Sequence, residues 1–212
     1  MKHYSYLLLM SLLVFTAGCK KNDDDDSSSN GGGSSTGGIT IDSPWQYTIS
    51  VDGTTFAKTE NDAEVDGVWS NSTDLNLPPD STTNNYNAAL YNSVTGATYF
   101  EIYRNGHRYL GATAEDSEFL HYFDAGTYPY SVENVNGVSI RWVDSNGDVW
   151  GSDMGTGDQT GSQFTIDQVK EVTGGGYYTI KVLTHFNCKL YNGLGQSKTL
   201  TSGKYVCKFQ NF

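Results

Sequence analysis

The chain has 212 residues, with 24 acidic against 13 basic side chains and a formal net charge of −11 with histidine neutral. That balance excludes a nucleic-acid binder, whose partner demands a basic surface, and argues against docking on anionic lipid by charge. Tyrosine (15) and glycine (24) are abundant and long helical patterns are absent, which points to short strands joined by turns.

The chain opens with Met1-Lys2-His3, an apolar run from Leu7 to Phe15, the small residues Thr16-Ala17-Gly18 and then Cys19. The run is far shorter than the ~20 residues a spanning helix needs, so it reads as a secretory signal. Small residues directly before a cysteine resemble the lipobox at which bacterial lipoproteins are lipidated and cleaved. Thr16 departs from that pattern, which has Leu or a similar apolar residue three positions before the cysteine. On this reading residues 1–19 are a lipoprotein signal with Cys19 lipidated, and acyl chains tie the protein to a membrane. An ordinary signal with a chance cysteine is the alternative.

Lys20 to Gly38 contains no apolar side chain, so it cannot bury a core and reads as a disordered acidic Ser/Gly tether spanning roughly 25 Å. Asp23 to Asp26 form a solvated charge run. An acidic run just after a lipidated cysteine also resembles the export signal of Bacteroidetes surface lipoproteins, which implies the outer face of the outer membrane. The remainder, Ile39 to Phe212, holds 20 acidic and 10 basic residues and is long enough for one domain with a real core.

Within it, Trp45-Tyr47-Ile49-Val51 alternate, and Asp52-Gly53 turns the chain into a strand carrying Phe56. Glu60 to Thr83 is polar, carries Pro78-Pro79 and reads as a long loop. Asp80-Ser81-Thr82 inside it resembles the acceptor of O-linked glycans on exported Bacteroidetes proteins. Tyr86-Ala88-Leu90 pairs with Phe100-Ile102. Thr113-Ala114-Glu115-Asp116 is close to a capping box and, with Phe119, Leu120, Tyr122 and Phe123, predicts one short helix that Asp124-Ala125-Gly126 stops.

Val138 to Asp153 is a hairpin about Asn146-Gly147, the strongest short hairpin signal. A two-residue turn there sets Val143 opposite Trp150. Val138, Ile140, Trp142 and Val149 then share the core face, and Arg141, Val143 and Trp150 share the other. Ser162 to Ile166 adds a short strand. From Tyr177 to Tyr191 the even positions Tyr178, Ile180, Val182, Thr184, Phe186, Cys188 and Leu190 form one face, mostly apolar, of a half-buried strand. Asn192-Gly193-Leu194-Gly195 is turn chemistry. Lys204 to Gln210 places Tyr205, Cys207 and Phe209 together. The sum is an all-β fold, an antiparallel β-sandwich of about ten strands with one short helix, spanning residues 39–212.

With Cys19 lipidated, Cys188 and Cys207 remain in an oxidising compartment on one face of two strands, and they read as a disulfide. Buried free thiols are the alternative. A cysteine nucleophile is disfavoured because neither has an obvious base. Asp144, Asn146 and Asp148 have the one-three-five spacing of a calcium loop, but Gly147 is misplaced and Gly155 stands where the closing Glu belongs; a hairpin turn explains them. His107, His121 and His185 form no short metal-ligand pair, so no metal or cofactor is assigned. Glu101, Glu133 and Glu171 are unpaired, and no nucleophile elbow or phosphate loop occurs, so no catalytic residue is assigned.

The outer faces of the strands carry Tyr91, Tyr99 and Tyr103 around Glu101, and Trp150 with Arg141. Exposed aromatic platforms suit sugar rings or a protein partner. The alternative is that loops cover them, since tyrosine is common on strands.

The segments Phe123-Asp124-Ala125-Gly126-Thr127-Tyr128-Pro129, Ile140 through Trp150, Phe164-Thr165-Ile166, and Phe186 through Tyr191 with Thr199 through Tyr205 together resemble a large group of uncharacterised Bacteroidetes lipoproteins. The resemblance covers most of Ile39 to Phe212 and implies a β-sandwich; it offers no catalytic residues. The expected function is a lipid-anchored outer-membrane protein, exposed on the cell surface, that binds glycan or protein without catalysis. A structural envelope lipoprotein or a carboxylate-dependent hydrolase are the alternatives.

Overall fold

The computed structural model describes residues 38–63, 65, 67–77, 81–92, 94–111 and 113–212, all within one compact unit, Gly37–Phe212. The predicted signal, Cys19, the tether up to residue 37 and Pro78-Pro79-Asp80 lie outside the described residues. Among those described, the order is β1 (Gln46–Val51), β2 (Thr54–Thr59), β3 (Gly67–Leu77), β4 (Ser81–Tyr91), β5 (Thr98–Leu110), α1 (Asp116–Tyr122), β6 (Gly126–Tyr128), β7 (Gly137–Val143), β8 (Val149–Gly151), β9 (Gln163–Val172), β10 (Tyr178–Tyr191) and β11 (Ser197–Asn211). No described helix is long and apolar enough to cross a membrane.

Hydrogen bonding runs β2-β1-β11-β10-β8-β7-β5-β4-β3, with β9 on β10 and β6 on β9. β10 meets β8 at one residue pair, Tyr191 and Gly151. The strands therefore form two antiparallel layers, β2-β1-β11-β10-β9-β6 and β8-β7-β5-β4-β3, the predicted all-β sandwich. The period-two pattern of β10 explains the interface. Ile180, Val182, Phe186, Cys188 and Leu190 are buried, while His185 between them is exposed.

Aromatic rings join the layers. Phe100 of β5 stacks on Tyr47 of β1 at 4.8 Å and on Phe186 of β10 at 5.8 Å, and meets Tyr205 of β11 edge-on at 5.3 Å. Phe56 of β2 meets Trp142 of β7 at 4.9 Å. The sheet does not close, but β3 approaches the end of β11 that runs past its pairing with β1, where the Gln210 N–H donates to Ser70 Oγ at 3.0 Å.

The helix α1 packs at one end of the core. Phe119 and Phe123 lie 5.0 and 5.7 Å from Tyr86 of β4, and Phe123 lies 4.6 Å from Phe209 of β11. The predicted capping box does not form: Glu115 is the N-cap and makes no side-chain cap bond. Asn211 takes over that end, donating through Nδ2 to Ala114 O and Asp116 Oδ1 at 2.9 and 3.0 Å. Beside the helix, Tyr122 lies between two groups. The His107 ring stacks on it at 4.1 Å, and the Arg104 guanidinium lies 3.8 Å from its centroid and 4.1 Å from that of Tyr128. Arg104 Nη1 donates to Asn136 Oδ1 at 2.7 Å and Gly137 O at 3.1 Å. Gly106 lets this happen. It is the extra residue of a bulge on β5 with φ +76°, and a Cβ there would strike the backbone of Val135 and Asn136.

Three further expectations are corrected. The predicted loop from Glu60 to Thr83 is largely the β3–β4 hairpin, in register from Gly67 opposite Tyr91 to Leu77 opposite Ser81. Its polarity misleads because β4 lies between two strands and buries polar residues on both faces, from Ser81 to Asn85. Thr82 is likewise no loop residue. It is 1 % exposed, and its hydroxyl donates to Gly111 O at 2.6 Å.

The second correction is the hairpin register. Trp142 faces Trp150 and Val143 faces Val149, one residue away from the two-residue turn expected. Asp144 sets the longer turn: its Oδ1 accepts from the Asn146 and Asp148 N–H groups at 2.9 and 3.1 Å. A one-residue slip moves every side chain to the opposite face. Val149 is accordingly exposed, and Trp150 is buried at 5 % exposure.

The third concerns the cysteines. Cys188 and Cys207 are free, not a disulfide. They share the core face, but Cys188 stands opposite Leu200 and Cys207 opposite Val182. Six positions along β10 separate the two rows, roughly 20 Å at strand rise, against a limit near 7 Å between bridged Cα atoms. Burial pushes the Cys188 thiol up to about 12 and raises Cys207 as well. In residues 38–212, both thiols are expected to resist a thiol reagent in the native protein and to titrate fully in denaturant without reductant. Recovery of fewer than two would contradict this arrangement.

Candidate binding site

Between β4 and β7, β5 turns Phe100 and Ile102 into the core, so Glu101 and Tyr103 lie on the outer face of their layer. Arg141 of β7 stands directly opposite Glu101 and, on its other side, opposite Gly151 of β8. This register builds a linked set of side chains. The Tyr103 hydroxyl donates to Glu101 Oε2 at 2.8 Å, and Arg141 Nη1 donates to the Tyr103 hydroxyl at 3.4 Å. The guanidinium carbon lies 4.8 Å from the Tyr103 ring centroid, within cation–π range. Arg141 Nη2 pairs with Asp153 Oδ2 at 3.2 Å.

Asp153 was not legible as a partner from sequence, because it follows β8 and its approach depends on the hairpin register. The nearest signal is Gly151: a Cβ there would meet the Asp153 carboxylate at 2.8 Å. The absent side chain leaves the space in which the carboxylate approaches Arg141.

The electrostatics are those of a half-buried mixed cluster. Burial raises the Glu101 carboxyl above the usual carboxylate range, against the Tyr103 hydrogen bond and the Arg141 charge, which lower it. Burial is also the main cause that raises the Tyr103 phenol. The Arg141 side chain is 42 % exposed and that of Asp153 only 10 %. Arg141 Nε and Asp153 Oδ1 are buried and have no hydrogen-bond partner. The set thus gathers a cation, two carboxylates and a phenol in one place.

The structure brings together only part of the predicted surface. Tyr103 and Arg141 join through Glu101. Tyr99 packs against the core, and Lys58 Nζ lies 4.4 Å over its ring. Tyr91 is half-buried at the end of β4, opposite Thr98. Trp150 is no surface platform, for the register reason given above. Its Nε1 donates to Asp144 Oδ2 at 3.0 Å, and Lys198 Nζ lies 4.4 Å over its ring. No described group of three His, Cys, Asp or Glu side chains could hold a metal ion. The calcium-like Asp144 is occupied by its own turn and by Trp150.

Comparison with protein-family models, with curated proteins and with solved structures gives no match to this chain.

Proposed function

We propose that this protein is a lipid-anchored, non-catalytic binding module of the bacterial outer membrane, exposed on the cell surface and related to the Bacteroidetes lipoproteins its motifs resemble. It binds glycan through the Tyr103–Glu101–Arg141–Asp153 cluster. One observation carries this: a half-exposed guanidinium held over a tyrosine and flanked by two carboxylates. Sugar hydroxyls both donate and accept, and this cluster offers both roles from groups already positioned, which lowers the entropic cost of binding. The engagement of Glu101 with Tyr103 and of Asp153 with Arg141 favours recognition over acid–base work, because each carboxylate already has a partner.

The test is glycan-array binding by residues 38–212 with Arg141→Gln and Tyr103→Phe beside the parent. Each variant is expected to weaken binding by about tenfold or more, ~1.4 kcal/mol. Trp150 is a poor probe, since truncating it would disturb the core. Binding untouched in both variants would remove this site. The absence of any glycan binding would leave a protein partner or a purely structural envelope role.

A further inference from the structure

On the other layer, the outer face of β10 and β11 holds a groove of about 350 Å³ lined by Asn187, Lys189, Thr199, Thr201, Ser202 and Ser162, with Leu200 and Cys188 also in its wall. Its size falls in the ~300–1,000 Å³ range of small-molecule sites. It follows from a bulge. Phe186 pairs with Gly203 and Cys188 with Leu200, so Thr201 and Ser202 together oppose Asn187. Ser202 adopts the left-handed backbone, φ +52°, uncommon for a side-chain-bearing residue. Beside it, Gly203 has no room for a side chain, because the Phe186 ring fills the space a Cβ would need. Strained backbone and bulges concentrate at functional sites.

The opposite wall is fixed as firmly. Gln159 clamps the loop before β9 onto β10: its Nε2 donates to Ser152 O and Lys189 O at 2.9 and 2.7 Å, and its Oε1 accepts from Lys189 N at 3.0 Å and Ser162 Oγ at 2.8 Å. The Tyr191 hydroxyl donates to Asp158 O at 2.6 Å.

The chemistry of the lining selects its ligand. Lys189 Nζ is neutralised by Asp158 Oδ2 at 2.7 Å, which leaves no free cation for an anion. The hydroxyls of Thr199, Thr201 and Ser202 and the Asn187 amide nitrogen have no protein partner among the described residues. Leu200 and Cys188 are buried and turn their side chains into the core, so the neutral polar groups of the rim are what the groove presents. A groove rimmed by neutral groups that donate and accept, with no free cation, matches the hydroxyls of a neutral sugar. We propose that this groove is a second binding site, for a neutral saccharide unit, on the layer opposite the Tyr103–Arg141 cluster and independent of it.

The test is an amide-resolved NMR titration of residues 38–212, whose unit contains the whole described core, with glucose, galactose, mannose, N-acetylglucosamine and lactose. At least one sugar should shift the amides of Asn187, Thr199, Thr201 and Ser202 at millimolar concentration. The isosteric Thr199→Val/Thr201→Val double variant should weaken that response about tenfold, and Arg141→Gln should leave it unchanged. Ser202→Gly removes a hydroxyl while relaxing the backbone, so it keeps the fold, and it too should weaken binding. The proposal is overturned if no sugar moves these amides, if inorganic phosphate moves them and sugars do not, or if the threonine hydroxyls prove dispensable. Shifts confined to the amides around Tyr103 would overturn it while supporting the other site.

Discussion

Truncating Phe100 to alanine is expected to cost about 3–5 kcal/mol, the usual loss for a buried phenylalanine. Phe100 is fully buried and meets Tyr47, Phe186 and Tyr205, three rings from three strands of the opposing layer. Removing the ring leaves a cavity on the seam between layers, where no single side chain can collapse into it. For a domain of this size the melting temperature should fall on the order of 10 °C. Leu194, 86 % exposed at a turn, is the control, and Leu194→Ala should change stability by no more than ~0.5 kcal/mol. Urea unfolding of both variants reads the difference. A loss below ~1 kcal/mol for Phe100→Ala would mean the layers do not pack through this ring.

The second large effect is a pH dependence from His107. This ring is 5 % exposed, lies 3.2 Å through Nδ1 from the Tyr86 hydroxyl, and stacks on Tyr122, whose other face carries Arg104. Tyr109 packs beside it at 5.1 Å. Burial, and then the Arg104 charge, lower its pKa from 6.5 to about 4. Folding therefore favours the neutral ring. The stabilisation is complete above pH ~6.5 and is lost as pH falls through that value towards 4, a span worth about 3 kcal/mol. His107→Gln should abolish this portion, so parent and variant should differ in stability at pH 7 and converge towards pH 4. Carboxylates with lowered pKa values, such as Asp144 and Asp158, act at lower pH and are common to both proteins. A wild-type stability unchanged between pH 7 and 4.5 relative to the variant would refute the assignment.

What could be read from sequence followed the strength of the local pattern. β10 was legible because its alternation runs through 14 residues with a single apolar face. The β1–β2 turn was legible because Asp52 and Gly53 both tolerate positive φ, 48° and 84°, as a two-residue hairpin loop requires. The β3–β4 hairpin was hidden because its burial comes from neighbours far along the chain: polar residues such as Asn84 and Asn85 are buried by β3, β5 and the loop carrying Asn134. The cysteines show a different limit. Parity gives the face of a strand but not the position along it, and the disulfide expectation failed on that distance. The candidate site was half legible for the same reason. Tyr103 and Arg141 follow from parity, whereas Asp153 and the burial of Trp150 depend on a register that the Asp144 side chain decides.

The position of β11 has a consequence for the order of events as the chain folds. The last strand lies between β1 and β10, with Val206 opposite Gln46 and Lys208 opposite Lys181, and it supplies Tyr205, Cys207 and Phe209 to the core. Its pairing with β1 spans some of the longest sequence separations in the domain, which slows folding by the loop-closure entropy to be overcome before any contact rewards it. A chain emerging from a ribosome or a membrane pore amino-terminus first thus holds an unpaired β1–β2 hairpin until its final fifteen-residue strand (Ser197–Asn211) arrives. Until then β1 is an open edge inviting misplaced strands. Shortening the carboxyl end should therefore not trim the domain but leave it without its central strand.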